Sequence, residues 1–280
     1  MPTLPGSGPE SRGSIPPRGS EQFRQVAEGF GANAGRYDRS RPSYPQALVD
    51  RILTASPGPR VLDVGCGTGI AARLFQAAGA EVLGVDPDQR MADQARQRGL
   101  EVEVARIEDW DPAGRLFDAA VAGQAWHWVD PEAGARQVAR ALTPGGRVAV
   151  FWNSFRPPAS LSEAMAAVTR QALPGTPVQA SLPGPDGYAR LAGRAADGMR
   201  AAGAFTEPEQ WRFDWERDYT RDEWLDAVPT FGGNNRLPAD VLAQIQAGLG
   251  AAIDAVGGRF TMGYTTVVST AVRLASGPAD

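Results

Sequence analysis

The chain contains no lysine, and all 28 of its basic residues are arginine. A phosphate-cradling loop ending in G-K-[ST] is therefore excluded, because its lysine is what reaches the phosphates. The single cysteine, Cys66, rules out an intrachain disulfide and a cysteine metal cluster, and the reading is a cytoplasmic chain with no metal implied. Histidine is as scarce, with His127 alone. Positive charge is also in deficit: the net charge of −4 argues against nucleic acid or an anionic membrane as the main partner. No apolar run approaches the ~18 residues of a membrane helix, and residues 1–20 lack the apolar core of a signal peptide.

What is present is organised around residues 60–69, RVLDVGCGTG. Val61, Leu62 and Val64 make the apolar run of a central parallel strand, and Gly65, Gly67 and Gly69 let the backbone approach a ligand before a helix begins. A dinucleotide fingerprint needs its third glycine at the sixth position of the motif, and Ile70 stands there. Asp63, two residues before the first glycine, would repel a pyrophosphate but suits a ligand carrying a cation, or orders the turn. Asp86 ends the next apolar run, where a carboxylate accepts from both hydroxyls of a ribose.

Strands are expected at 60–64, 81–85, 101–105, 117–121 and 146–151, alternating with helices at 68–78, 87–98 and 131–142. That alternation implies right-handed crossovers and a parallel sheet covered on both faces, with ligands at the carboxyl ends of the strands. Residues 1–20, rich in proline, glycine and serine, read as a disordered tail ahead of a single domain over 21–280. Its parts are amphipathic N-terminal helices over 21–55, a core over 60–152, a proline-punctuated insertion over 153–208 with helices near 160–173 and 187–202, and a C-terminal part over 209–274. In that last part 210–215 and 265–274 read as strands and 221–228 and 238–256 as helices.

VLDVGCGTG followed by GVDPDQRM resembles the class I S-adenosylmethionine-dependent methyltransferases. RYDRSRPSYP at 36–45 and GQAWHWVD at 123–130 resemble, within them, the small-molecule branch that includes trans-aconitate methyltransferase-like proteins. The likeness follows motif order from Phe30 to Arg273 and is specific in the first half. It implies an α/β fold with a seven-stranded, mainly parallel sheet, the last two strands antiparallel, an N-terminal helical lid and an insertion after strand five. It also implies S-adenosyl-L-methionine as cofactor, S-adenosyl-L-homocysteine as product, and in-line methyl transfer to an oxygen, nitrogen or carbon. The [DN]-P-P-[YFW] signature of amino-group methylases of nucleic acid bases is missing, which points to a small molecule. An RNA methyltransferase, a non-catalytic cofactor-binding module and a nicotinamide-dependent oxidoreductase are the competing readings.

The resemblance also distributes roles. Gly65 and Gly67 pass under the cofactor's methionine part, Asp63 helps fix its amino group, and Asp86 takes the ribose. Pro87 and Met91 flank the adenine, although Met91 at helical spacing also reads as core. In VARIEDW the usual acidic contact to adenine is replaced by Arg106, so Ile107, through its backbone N–H, or Glu108 has to serve. Tyr37 closes over the sulfonium and Arg41 meets the methionine carboxylate, unless Arg41 is a surface residue. Gln124 orders cofactor or substrate, while Tyr44, Trp126 and Trp128 wall the substrate side. His127 is either the base that takes a substrate proton or a histidine that shapes its loop by a local hydrogen bond.

Overall fold

The computed structural model describes residues 31, 33–174, 185–231, 234 and 237–275. The expected tail at 1–20 and the first part of the expected N-terminal helices, 21–30, lie outside the described residues.

A seven-stranded sheet in the order β3-β2-β1-β4-β5-β7-β6 runs through the molecule. Its strands are β1 (Arg60–Val64), β2 (Glu81–Asp86), β3 (Glu101–Val104), β4 (Phe117–Gly123), β5 (Leu142–Arg156), β6 (Glu209–Thr220) and β7 (Arg259–Val272). The first five pair in parallel, whereas β7 inserts antiparallel between β5 and β6. The order reverses at β1, between β2 and β4, and an open sheet binds its ligands at such a switch point.

Helices α1 (Ala34–Ser40), α2 (Gln46–Thr54), α3 (Ile70–Ala77), α4 (Gln89–Gln97) and α5 (Pro131–Ala141) accompany the parallel half. Val61, Val82, Val121 and Phe151 bury one face of the sheet beneath α2, α3 and α4. Leu62, Val85, Val150 and Trp152 bury the other beneath α5 and the insertion helix α7 (Pro185–Ala202). Apolar side chains on both faces make the near-continuous hydrophobic strand legible in sequence. Helix α5 starts where expected because Asp130 accepts from the Glu132 and Ala133 N–H groups and Pro131 needs no partner there.

The antiparallel strands are longer than the sequence predicts. Strand β5 continues through Arg156 and β6 through Thr220, pairing along β7 beyond the parallel sheet. A third hydrophobic cluster covers this extension: Tyr219, Phe260, Met262 and Tyr264 from the strands meet α6 (Ala159–Ala172), α8 (Arg221–Ala227) and α9 (Ala239–Asp254). Phe155, Trp224 and Phe231 pack edge-on or tilted within it, so these aromatics form a core. Among the described residues no helix is long and apolar enough to cross a membrane.

Candidate active site

The glycine turn after β1 has three residues in the left-handed region, Gly65, Gly67 and Gly69. A Cβ on Gly65 would lie 2.5 Å from that of Ala125, and one on Gly67 would meet the Met91 methyl at 3.4 Å. Gly65 is therefore demanded by the chain after β4, whereas at Gly67 the left-handed backbone itself favours glycine and a Cβ would only touch the buried Met91.

Asp63, at 1% exposure, lies under this turn, and neither of its carboxylate oxygens has a hydrogen-bond partner among the described residues. Burial, then the nearby Asp86 charge, pushes its carboxyl up to about 8, against a smaller opposing effect of the Ala72 N–H. An unsatisfied buried carboxyl is costly, which fits a group whose partner is a bound cation. Asp86 differs: its two oxygens accept from the Gly67 N–H and the Asp88 N–H, each at 2.8 Å. These bonds hold it down against the stronger effect of burial, which leaves it raised to about 6. Each oxygen keeps a lone pair for a hydroxyl.

Three elements bring the remaining groups over this floor. The Tyr44 hydroxyl lies beside Gly123 at the tip of β4, where a Cβ would approach it to 2.7 Å. Burial raises the Tyr44 phenol, the Tyr37, Asp63 and Tyr188 groups add to the rise, and the Arg41 charge opposes it. Arg41 lies between the rings of Tyr37 and Phe231, 4.8 Å from each, with one terminal N–H donating to the Thr230 carbonyl at 2.6 Å and a buried Nε without a partner among the described residues. It is packed between these rings and not turned to the outer surface. Gln124 has φ of +55°, an uncommon conformation for a residue with a side chain. Its N–H donates to the Phe151 carbonyl and its side chain meets the Asn153 carbonyl and Tyr188.

Tyr188 and Asn153 had no signal in the sequence reading. Tyr188 sits on α7 of the insertion and is buried; burial raises its phenol. Asn153 donates to the Ser43 carbonyl and accepts from Thr266 Oγ1, which itself accepts from the Trp215 indole. This chain ties the segment carrying Tyr44 to the antiparallel strands. A lone asparagine or tyrosine in a run without periodicity carries no signal until the partners are known.

The structure disperses some of the expected groups. Glu108 accepts from the Asp130 N–H at 2.9 Å, so its carboxylate fixes the start of α5. Ile107 buries its side chain in the core, which leaves the expectation for its backbone N–H as it was, and Pro87 is exposed. Trp126 is buried in the core and packs near Gly134, which removes most of its surface from a substrate wall. Trp128 is half-buried with its ring centroid 4.9 Å from that of His127. His127 Nδ1 accepts from the Trp152 indole at 3.2 Å.

Comparison with known proteins gives the same picture from another side. Residues 61–146 match the family model described as a methyltransferase domain. An uncharacterised methyltransferase of Mycobacterium tuberculosis is 40% identical over 134 residues, 47% of this chain and 54% of that one. A probable S-adenosylmethionine-dependent methyltransferase of Saccharomyces cerevisiae is 31% identical over 135 residues, 44% of this chain and 46% of that one. The chain spans about half the length of the curated relatives it matches. The solved structure of a putative type II methyltransferase from Anaeromyxobacter dehalogenans superposes with a TM-score of 0.60 at 26% identity, covering 84% of this chain and 99% of that one.

Proposed function

We propose, on the premise that this chain carries an S-adenosylmethionine-dependent methyltransferase domain, that it transfers a methyl group to an oxygen, nitrogen or carbon of a small molecule. The observation that carries the reading is Asp63, a buried carboxyl with no hydrogen-bond partner among the described residues directly beneath the glycine turn. Together with Asp86 and the space beside Gly67 it supports the fit of this cofactor: an acid for the ammonium, lone pairs for ribose hydroxyls, and no Cβ in the way. The cofactor, when bound, supplies an electrophilic methyl on a sulfonium.

The chain's own part is orientation and exclusion of water. Asp63 and Asp86, on the neighbouring strands β1 and β2, grip the amino group and the ribose of one ligand. Tyr37 and Arg41 close the N-terminal side, with Arg41 offering its unpartnered Nε to an anionic group. Gln124, held in a left-handed conformation by the Phe151 carbonyl, directs its amide among Asn153 and Tyr188 and positions the acceptor molecule. Positioning of this kind supplies much of the rate in a displacement. A small acceptor is favoured because the tyrosine cluster encloses the site and the net charge of −4 gives no field for a polyanion.

The test is formation of S-adenosylhomocysteine from S-adenosylmethionine with a panel of small acids, phenols, amines and thiols, run beside bulk RNA at low salt. Turnover with a small acceptor and no retention on RNA is expected. Methylation of RNA alone would overturn the small-molecule reading.

A further inference from the structure

Asn153 lies in β5 at 2% exposure, and the chemistry of its partners fixes which way its amide faces. The Ser43 carbonyl, at 2.8 Å, can only accept, so it meets the amide nitrogen. The Trp215 indole can only donate, so Thr266 Oγ1 accepts from it at 2.9 Å and gives its own proton to Asn153 Oδ1 at 2.7 Å. The position needs a donor on one side and an acceptor on the other, which an asparagine supplies and an ionised aspartate does not.

The Ser43 carbonyl belongs to Pro42-Ser43-Tyr44-Pro45, outside any helix or strand. A proline fixes its own φ and confines the residue before it to extended backbone, so a bond that holds the Ser43 carbonyl also sets Tyr44. The Tyr44 ring stands edge-on to Phe151 with centroids 4.7 Å apart, and its hydroxyl lies beside Gly123, whose Cβ would approach it to 2.7 Å. Val121, two residues before Gly123, pairs with Asp63 across β1 and β4, so this hydroxyl stands at the glycine-turn end of the two strands. Among the described residues no hydrogen bond is made to it. Burial keeps the phenol protonated, which leaves it a donor and not a base.

We propose that Asn153 is a positioning residue for methyl transfer: through the Ser43 carbonyl it holds the Tyr44 hydroxyl beside Gly123, where that hydroxyl donates a hydrogen bond to the methyl acceptor. The catalytic part rests on the small-molecule methyltransferase reading, whereas the hold of Asn153 on Tyr44 is a property of the folded chain, so the two fail separately.

The chain has five tyrosines, so fluorine spectra of the fluorotyrosine-labelled protein resolve each of them, and loss of one signal in Tyr44→Phe assigns Tyr44. Asn153→Asp keeps the side chain's shape and the Thr266 bond but sets an oxygen against the Ser43 carbonyl. It should shift or split the Tyr44 signal and leave that of Tyr219, in the C-terminal cluster, in place. An unmoved Tyr44 signal in the folded variant, or equal movement of all five, would overturn the proposal whether or not any acceptor turns over. Should Asn153→Asp not fold, Thr266→Val, which frees Asn153 Oδ1, takes its place, and an unmoved Tyr44 signal again overturns the proposal. On the first acceptor that turns over, Asn153→Asp and Tyr44→Phe should each lower kcat per folded site roughly tenfold to a hundredfold, with the Kd of S-adenosylhomocysteine changed by less than about threefold. Because Asn153 acts through Tyr44, the double variant should be no slower than Tyr44→Phe alone. Losses that multiply, or full kcat in Tyr44→Phe, would overturn it.

Discussion

Asp63 and Asp86 stand one strand apart, yet hydrogen bonding separates their behaviour. Both carboxyls are raised in the folded chain, to about 8 and about 6, from the unfolded value near ~3.9. Between pH ~4 and 8 the folded state therefore binds more protons than the unfolded one, and stability falls as pH rises through that window. Asp63→Asn should leave stability nearly unchanged at pH 4 and raise it at pH 8 on the order of a few kcal/mol, which thermal unfolding at the two values checks. The same substitution should weaken S-adenosylhomocysteine. Below pH 8 the wild type should release protons on binding it, because an ammonium beside Asp63 favours the carboxylate; calorimetry in buffers of different ionisation enthalpy reads this directly. For Asp86→Ala the loss of charged hydrogen bonds to the ribose should cost about 1.5–3 kcal/mol, more than tenfold in Kd. Unaltered affinity in a folded variant would mean that the ribose is held elsewhere.

At the scale of elements, the lid is fastened at both ends. Asp38 on α1 pairs with Arg73 at 2.7 Å and Arg98 at 3.3 Å, and Arg73 also donates to the Thr68 carbonyl in the glycine turn. Arg36 and Arg39 pair with Asp226 on α8, and Arg217 donates to the Arg41 carbonyl. Helix α1 thus bridges the glycine turn and the C-terminal cluster, and Tyr37 and Arg41 keep their places through it. The Asp38 side chain is 4% exposed but Arg73 and Arg98 are 32% and 53% exposed, so the pairs are partly screened. Asp38→Ala should cost about 1–2 kcal/mol and speed amide exchange in α1 more than in β1 or β4. Equal exchange changes throughout would show that α1 is not held by this pair.

On the scale of the whole molecule, the cofactor and substrate contacts proposed above draw on the parallel half, the N-terminal segment, the insertion and the antiparallel strands together. A ligand held only by the folded state stabilises it by RT ln(1 + [L]/Kd), about 2.7 kcal/mol at a hundredfold excess over Kd. S-adenosylhomocysteine should raise the unfolding temperature accordingly, and NADH should not. Much of this arrangement was legible beforehand in local pattern. The buried strand at 60–64, its three glycines, Asp86 at the tip of β2 and the capped start of α5 are all properties of a few consecutive residues, because strand period, left-handed turns and caps are set by near neighbours. The sequence by itself also determined the order of strands and helices, and with it the parallel half of the sheet. Only the tertiary structure decided what the polar side chains do. Glu108 accepts from the Asp130 N–H, Trp126 packs in the core and His127 Nδ1 accepts from Trp152, while Tyr188 on the insertion and Asn153 on β5 meet the Gln124 side chain. Their partners are distant in sequence, and a side chain's hydrogen bonds depend on which groups the packed elements bring within about 3 Å.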